Sequence, residues 1–407
     1  MNTLIKRDTF NNVWFGLCVL YLATNFTIPP ELELSSLWGA IGALIMVTFS
    51  GLLSLFLIIS RENILQLQFK QIQLIWWMLL LMFGLTILSQ YPNEAIKTII
   101  RMILYVPFIV SIVIVLNNIK RIQIITKTLI ISTGIIAIQG ILTNQGEMGF
   151  NLPGYLSDPN HMSLHLCIMI PFCYFYMIQT KLFFEKIICA SIILLALIVI
   201  ILSFSRGGFL ALVCMVPIMF FFSPRKMLVT LMLIIGLAVS ILVIDKHYIN
   251  EMSTIGDTTE STSSARLTAW LNATIMFVNS PWGVGPRNSM MLMEQFEGNL
   301  TSLEGHSLAA HSIWFTTLAD LGIFGIVLLL RLIYLNFKDL IVLKRLISES
   351  IEENFLKLFL AANLCSFVGF LVACSFLSFL DQPHFWYMTS IIAASSKILY
   401  SHIKISE

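Results

Sequence analysis

The sequence predicts an all-α integral membrane protein of about twelve transmembrane helices, and three observations predict it. The chain of 407 residues is 57% hydrophobic and only 11% charged, which leaves too little polar surface to coat a soluble body of that size. Apolar runs of about 17 to 25 residues recur along the whole length, matching the ~20 residues a helix needs to cross a hydrocarbon core of ~30 Å. Lysines and arginines, finally, gather on one side of the topology these runs define, as the positive-inside rule requires.

The runs lie near 13–29, 37–59, 72–89, 97–117 and 122–143, then 161–179, 185–204, 207–223 and 226–244, and last 312–335, 354–378 and 385–401. Lys6 and Arg7 precede the first run in the manner of a signal peptide, but no small-residue cleavage site follows and Asn25 to Pro30 reads as a loop, so the N-terminus is expected to be retained. With that terminus cytoplasmic, Arg61 and Lys70 fall inside between spans two and three, Lys120 and Arg121 at the start of span five, Lys181 and Lys186 after span six, and Arg225 and Lys226 after span eight. Only Lys97, Arg101, Arg206, Lys246, Arg266 and Arg287 of the 24 basic residues are left for the outer side. Adding or losing one helix scrambles this bias, so count and orientation support each other, with both termini cytoplasmic.

No soluble domain is left over, so residues 1–407 read as a single polytopic domain. Two outer loops exceed a turn, about 144–160 and a large one at 245–311, and function is expected around the large one. Within it, GDTTESTSSAR (256–266) has the Ser/Thr-rich character of a flexible loop. The following RLTAWLNATIMFV places Leu267, Trp270, Leu271 and Thr274 at helical spacing, a short amphipathic helix in the interface with Trp270 at headgroup depth. All seven cysteines sit in apolar runs as small hydrophobes, and a net charge of +2 gives no reason to expect nucleic acid.

The polar residues worth weighing lie on the outer side. Arg206, in SFSRGGF, stands at the tip of a tight helical hairpin; an arginine there either snorkels to headgroups or holds an anion, for which its planar fork suits a phosphate. Arg266 opens the interfacial helix on the same face, so the two guanidiniums are candidates to clamp a pyrophosphate. Arg287, in PWGVGPRN, is a third, on a turn where Gly283, Gly285 and Pro286 would let backbone approach a ligand. His306 and His311 precede the tenth span; His311, at the helix start, is the better placed general base. Asp320, nine residues on, faces the other way on a regular helix and suits packing. SDPNH (157–161) offers Asp158 and Asn160, either as caps of the sixth span or as substrate ligands, and DQPHF (381–385) offers Asp381 and His384 for the last span. No Gly-rich phosphate loop and no metal-binding pattern occurs, so cationic side chains, with no metal and no cofactor, are expected to drive the chemistry.

Taken in order, SDPNHMSLHL, SFSRGGFLAL, SSARLTAW followed by SPWGVG, and HSIWFTTLADLGIFG resemble the O-antigen ligase and polymerase superfamily of bacterial membrane glycosyltransferases, across roughly 151–325. The resemblance implies a GT-C-like helical fold in the bacterial inner membrane with a periplasmic active site. It implies an undecaprenyl-pyrophosphate-linked glycan as donor, Arg206 and Arg266 as pyrophosphate ligands and His311 as the catalytic histidine, with lipid A–core oligosaccharide or another glycan as acceptor. Family members often carry Asn after that histidine and Glu further on, where this chain has Ser312 and Asp320. One dominant outer loop favours ligase over polymerase. Protein O-glycosylation usually brings further periplasmic sequence. A transporter or lipid-linked oligosaccharide flippase would put charges near mid-span and repeat its halves, and neither pattern is visible.

Overall fold

A computed structural model describes residues 2–29, 37–60, 69–145, 149–243, 261–296, 309–346, 351–377 and 382–406, and among them the protein is helical with no strand beyond one isolated bridge between Asn144 and Phe150. The helices are α1 (Asn2–Thr27), α2 (Leu37–Ser60), α3 (Lys70–Leu88), α4 (Pro92–Val115), α5 (Ile119–Thr143), α6 (Pro159–Gln179), α7 (Phe183–Leu202), α8 (Arg206–Phe222) and α9 (Lys226–Val243). They continue with α10 (Ser261–Asn279), α11 (Asn288–Phe296), α12 (Ile313–Leu346), α13 (Ile351–Cys374) and α14 (Pro383–Ser406). Each of the twelve apolar runs falls on a helix over most of its described length, and eight of the described helices are long and apolar enough to cross a membrane. The protein is a multi-pass membrane protein; α8 and the described part of α9 are apolar but shorter.

Local chemistry sets the boundaries. Pro92 opens α4 and Pro159 opens α6 at positions where the missing N–H costs nothing. Asn118 caps α5 by accepting from the Arg121 backbone N–H at 3.0 Å. Arg121 does more than mark a membrane side: its guanidinium is buried, donates to Val115 O and to Asn12 Oδ1 (2.7 Å), and lies over the Phe15 ring. Two boundaries differ from expectation. Helix α1 continues through Asn25, which is buried, to Thr27, and α10 starts at Ser261, inside the stretch expected to be a flexible loop. Ser and Thr are tolerated in the first turn of a helix, which is why composition alone misplaced that boundary.

Helix α6 is the most buried of the apolar helices, with 89% of the residues in its apolar stretch buried, and α13 follows at 78%, whereas in α2, α3 and α7 fewer than half are buried. Helices α5, α7, α8 and α13 pack around α6. At one end of the bundle α10, α11 and the start of α12 build a second small core from Ala269, Ala273, Met276, Leu292, Met293, Ala310 and Ala319.

Helix α12 is not continuous. Gly322 breaks it with φ 63° and ψ −158°, and the break receives the PWGVG turn: Val284 N–H donates to Ala319 O (3.0 Å), Gly285 N–H to Asp320 O (2.9 Å) and Ile323 N–H to Pro281 O (2.9 Å).

Candidate functional site

The site grows from the start of α6. Asp158 caps that helix, its Oδ1 accepting from the backbone N–H of Asn160 (2.8 Å) and of His161 (3.0 Å). Asn160 turns its side chain to the next hairpin, where its Oδ1 accepts from Ser205 Oγ at 2.8 Å. Ser205 in turn caps α8 by accepting from Gly208 N–H at 3.1 Å, which makes Arg206 the first residue of that helix. A Cβ on Gly208 would collide with the Ser163 side chain, so α8 starts in direct contact with α6. Arg206 opens α8 just after α7 ends at Leu202, the hairpin the sequence predicts, with the start of α6 against it.

From the other side come α10 and the segment ahead of α12. Trp270 donates Nε1–H to Ala310 O at 2.8 Å and stacks on Phe315, ring centroids 5.1 Å apart and 12° from parallel. That contact pins His311 beside α10, one turn past Arg266. Trp270 thus fastens two elements; the apolar residues that α10 leaves exposed are Leu267, Leu271, Ile275 and Val278. Phe376 bridges the halves, 6.5 Å from Trp270 between ring centroids, with its Cβ beside the open Cα of Gly207.

His311 is exposed and adopts a left-handed φ of 41°, a conformation that costs a non-glycine residue free energy and persists only where surroundings hold it. Its ring is held below the ordinary histidine value, first by partial desolvation and then by the Arg266 guanidinium, with Asp158 pulling it up and His161 adding to the depression. Arg266, Asp158, His161 and His311 therefore share one electrostatic environment. His161, whose Nδ1 lies 4.0 Å from Asp158 Oδ1, was not singled out in the sequence. The only signal was its place three residues after a capping aspartate.

Other expected site residues are held by contacts of their own. The glycines of PWGVG serve packing: a Cβ on Gly283 would strike the backbone of Asp320 to Gly322, and one on Gly285 would strike Ser89. Arg287, at φ 57°, gives its backbone N–H to Asp320 Oδ2 (2.9 Å), and Asn288 ties the same turn to Tyr91. The turn is thereby held between the α3–α4 junction and the α12 break. His384 is fully buried, its Nε2 2.7 Å from Nδ1 of the equally buried His165 on α6, with Phe26 and Tyr155 against the pair. His306 and Asp381 lie outside the described residues.

Among the described residues, the Arg266 guanidinium and the His161 and His311 imidazoles share this environment with the Asp158 carboxylate, chemistry suited to holding an anion and moving a proton. Residues 191–330 match the family model described as O-Antigen ligase. The matched span contains Arg206, Arg266, Arg287, His311 and Asp320, and it supports the superfamily resemblance carried by the motifs. No curated protein matches the chain.

Proposed function

From this support for the O-antigen ligase superfamily over residues 191–330, we propose that the protein is an O-antigen ligase-like glycosyltransferase of the bacterial inner membrane. It crosses the membrane twelve times with both termini cytoplasmic, and its site opens to the periplasm. It moves a glycan from undecaprenyl pyrophosphate to an acceptor hydroxyl such as one on lipid A–core oligosaccharide, without a metal. The observation that carries this reading is the pinning of His311 beside Arg266, across from Asp158, by the Trp270 to Ala310 hydrogen bond.

The acceptor oxygen bonds to the anomeric carbon as the bond from that carbon to the phosphate oxygen breaks, its electron pair leaving on the pyrophosphate. Arg206 and Arg266 stabilise the charge that grows there, in a site where preorganised cations act strongly. His311 takes the acceptor proton. A direct displacement of this kind inverts the anomeric configuration. The exposed stripe of Leu267, Leu271, Ile275 and Val278 on α10 is a surface on which the donor's polyprenyl chain rests.

A polymerase would use the same donor with a second lipid-linked repeat unit as acceptor. A deletion strain separates the two: lipid-linked polymer beside bare core marks a ligase, and core capped by one repeat marks a polymerase. Full glycan transfer by purified Arg206→Ala or Arg266→Ala protein would remove the pyrophosphate clamp from the mechanism.

A further inference from the structure

We propose that Asn160 is a neutral ligand of the leaving pyrophosphate, its Nδ2 donating a hydrogen bond to a phosphate oxygen while Ser205 holds the amide in place; this rests on the glycosyl-transfer reading above. The geometry carries it. Asn160 stands in the first turn of α6, where its backbone N–H is taken by the capping carboxylate of Asp158. Its side chain reaches a residue 45 positions away in the chain, Oδ1 accepting from Ser205 Oγ at 2.8 Å. Ser205 is buried and fixed on its other side, its Oγ accepting from Gly208 N–H at 3.1 Å, so its one hydroxyl proton goes to the amide oxygen. An amide carries its oxygen and its nitrogen on separate arms, and with the oxygen bound to Ser205 the Nδ2 end is turned away from that residue. Among the described residues no group accepts from this nitrogen, and the side chain is partly exposed.

A structural role alone would make Asn160 a latch between α6 and α8. That latch uses only Oδ1. An aspartate would accept the same proton more strongly and would suit the positive end of α6, so the amide nitrogen is the part of this side chain that a latch leaves unexplained. Its place explains it. Ser205 is followed by Arg206, the first residue of α8, and Asp158, on the same turn as Asn160, acts together with Arg266 on the field at His311. Asn160 thus stands where the joint of α6 and α8 meets the His311 side of the site. The terminal oxygens of a pyrophosphate only accept hydrogen bonds there, and Nδ2 only donates them. Because the amide is neutral, it adds a hydrogen bond without a further charge to keep solvated in the empty site. Because Ser205 fixes it, the donor needs no reorganisation as the electron pair moves onto the phosphate oxygen. Asn160 is then a ligand of the leaving group and Ser205 its positioning residue.

The test uses undecaprenyl pyrophosphate itself, the released product whatever the sugar, titrated against the full-length protein in nanodiscs. Asn160→Ala loses latch and donor together and should bind about tenfold more weakly, the size of one hydrogen bond to a charged group. Asn160→Asp keeps an acceptor for Ser205 and should keep the wild-type Tm, yet bind at least as weakly as the alanine variant. Ser205→Gly removes only the hold on the amide, since glycine is tolerated at an N-cap, and should lose a smaller factor, about threefold, through lost preorganisation. Wild-type affinity in any of the three would overturn the assignment, as would equal weakening in Asn160→Ala and Ser205→Gly, which is what a latch alone predicts. A wild-type protein that does not bind undecaprenyl pyrophosphate at all would instead overturn the glycosyl-transfer reading on which it stands.

Discussion

Asp320 Oδ1 accepts the backbone N–H of Ser289 at 2.8 Å, both residues buried, while Oδ2 accepts that of Arg287 at 2.9 Å. One carboxylate thus caps the start of α11 and anchors it to the break in α12. Removing it leaves two N–H donors with no acceptor in a largely dry place. Asp320→Ala should therefore lower stability by about 1–3 kcal/mol, while Asp320→Asn, which keeps one acceptor oxygen, should lose less. Thermal unfolding in detergent reads this order, and an alanine variant as stable as wild type would show that the cap is unimportant.

The same junction depends on two glycines. Gly283 (φ 96°) and Gly322 (φ 63°) lie backbone to backbone, and a Cβ on either would strike the other's segment. Either Gly→Ala substitution demands both a strained φ and a displaced strand of backbone, so loss of the α12 latch is expected, with a Tm drop of several degrees or failure to accumulate. Gly84, helical with open space around its Cα, supplies the control: Gly84→Ala should be silent or slightly stabilising.

Beneath the site, His165 Nδ1 and His384 Nε2 are 2.7 Å apart and both rings are fully buried. One ring must donate and the other accept, so removing either strands its partner. His165→Leu or His384→Leu alone should cost about 1–3 kcal/mol, and the double variant less than the sum, because no buried polar group is then left without a partner. Additive losses in a double-mutant cycle would argue that the two rings do not depend on each other.

Much of this was legible in the sequence because each apolar run encodes its own helix, and the hairpin tip at Arg206 is forced by the two residues between two such runs. Asp158 was legible as a cap for the same local reason. What was not legible depends on partners distant in the chain. LADLGIFG reads as uninterrupted helix until Gly322 is seen to receive Pro281 to Gly283, and the turn glycines looked like room for a ligand when they are room for that backbone. His384 reads as a helix-start residue, and nothing local reveals that His165, hidden within α6, lies against it. Trp270 has an interfacial signature in isolation, and only the fold shows its N–H committed to Ala310.

The electrostatics around His311 give a prediction with a sign. Partial desolvation and the Arg266 guanidinium hold the ring below its ordinary value and Asp158 opposes them, so the neutral, proton-accepting form predominates at neutral pH. If His311 is the base, kcat/KM should fall toward acid with a limb below the ordinary histidine range. Replacing Arg266 with Gln removes a positive charge, makes protonation easier and should move that limb to higher pH, on top of the lower rate. Asp158→Asn removes a negative charge, makes protonation harder and should move it lower. Pre-steady-state transfer rates between pH 5 and 9 measure both shifts. A limb that ignores both charges, or that survives in His311→Ala, would place the essential proton on another group.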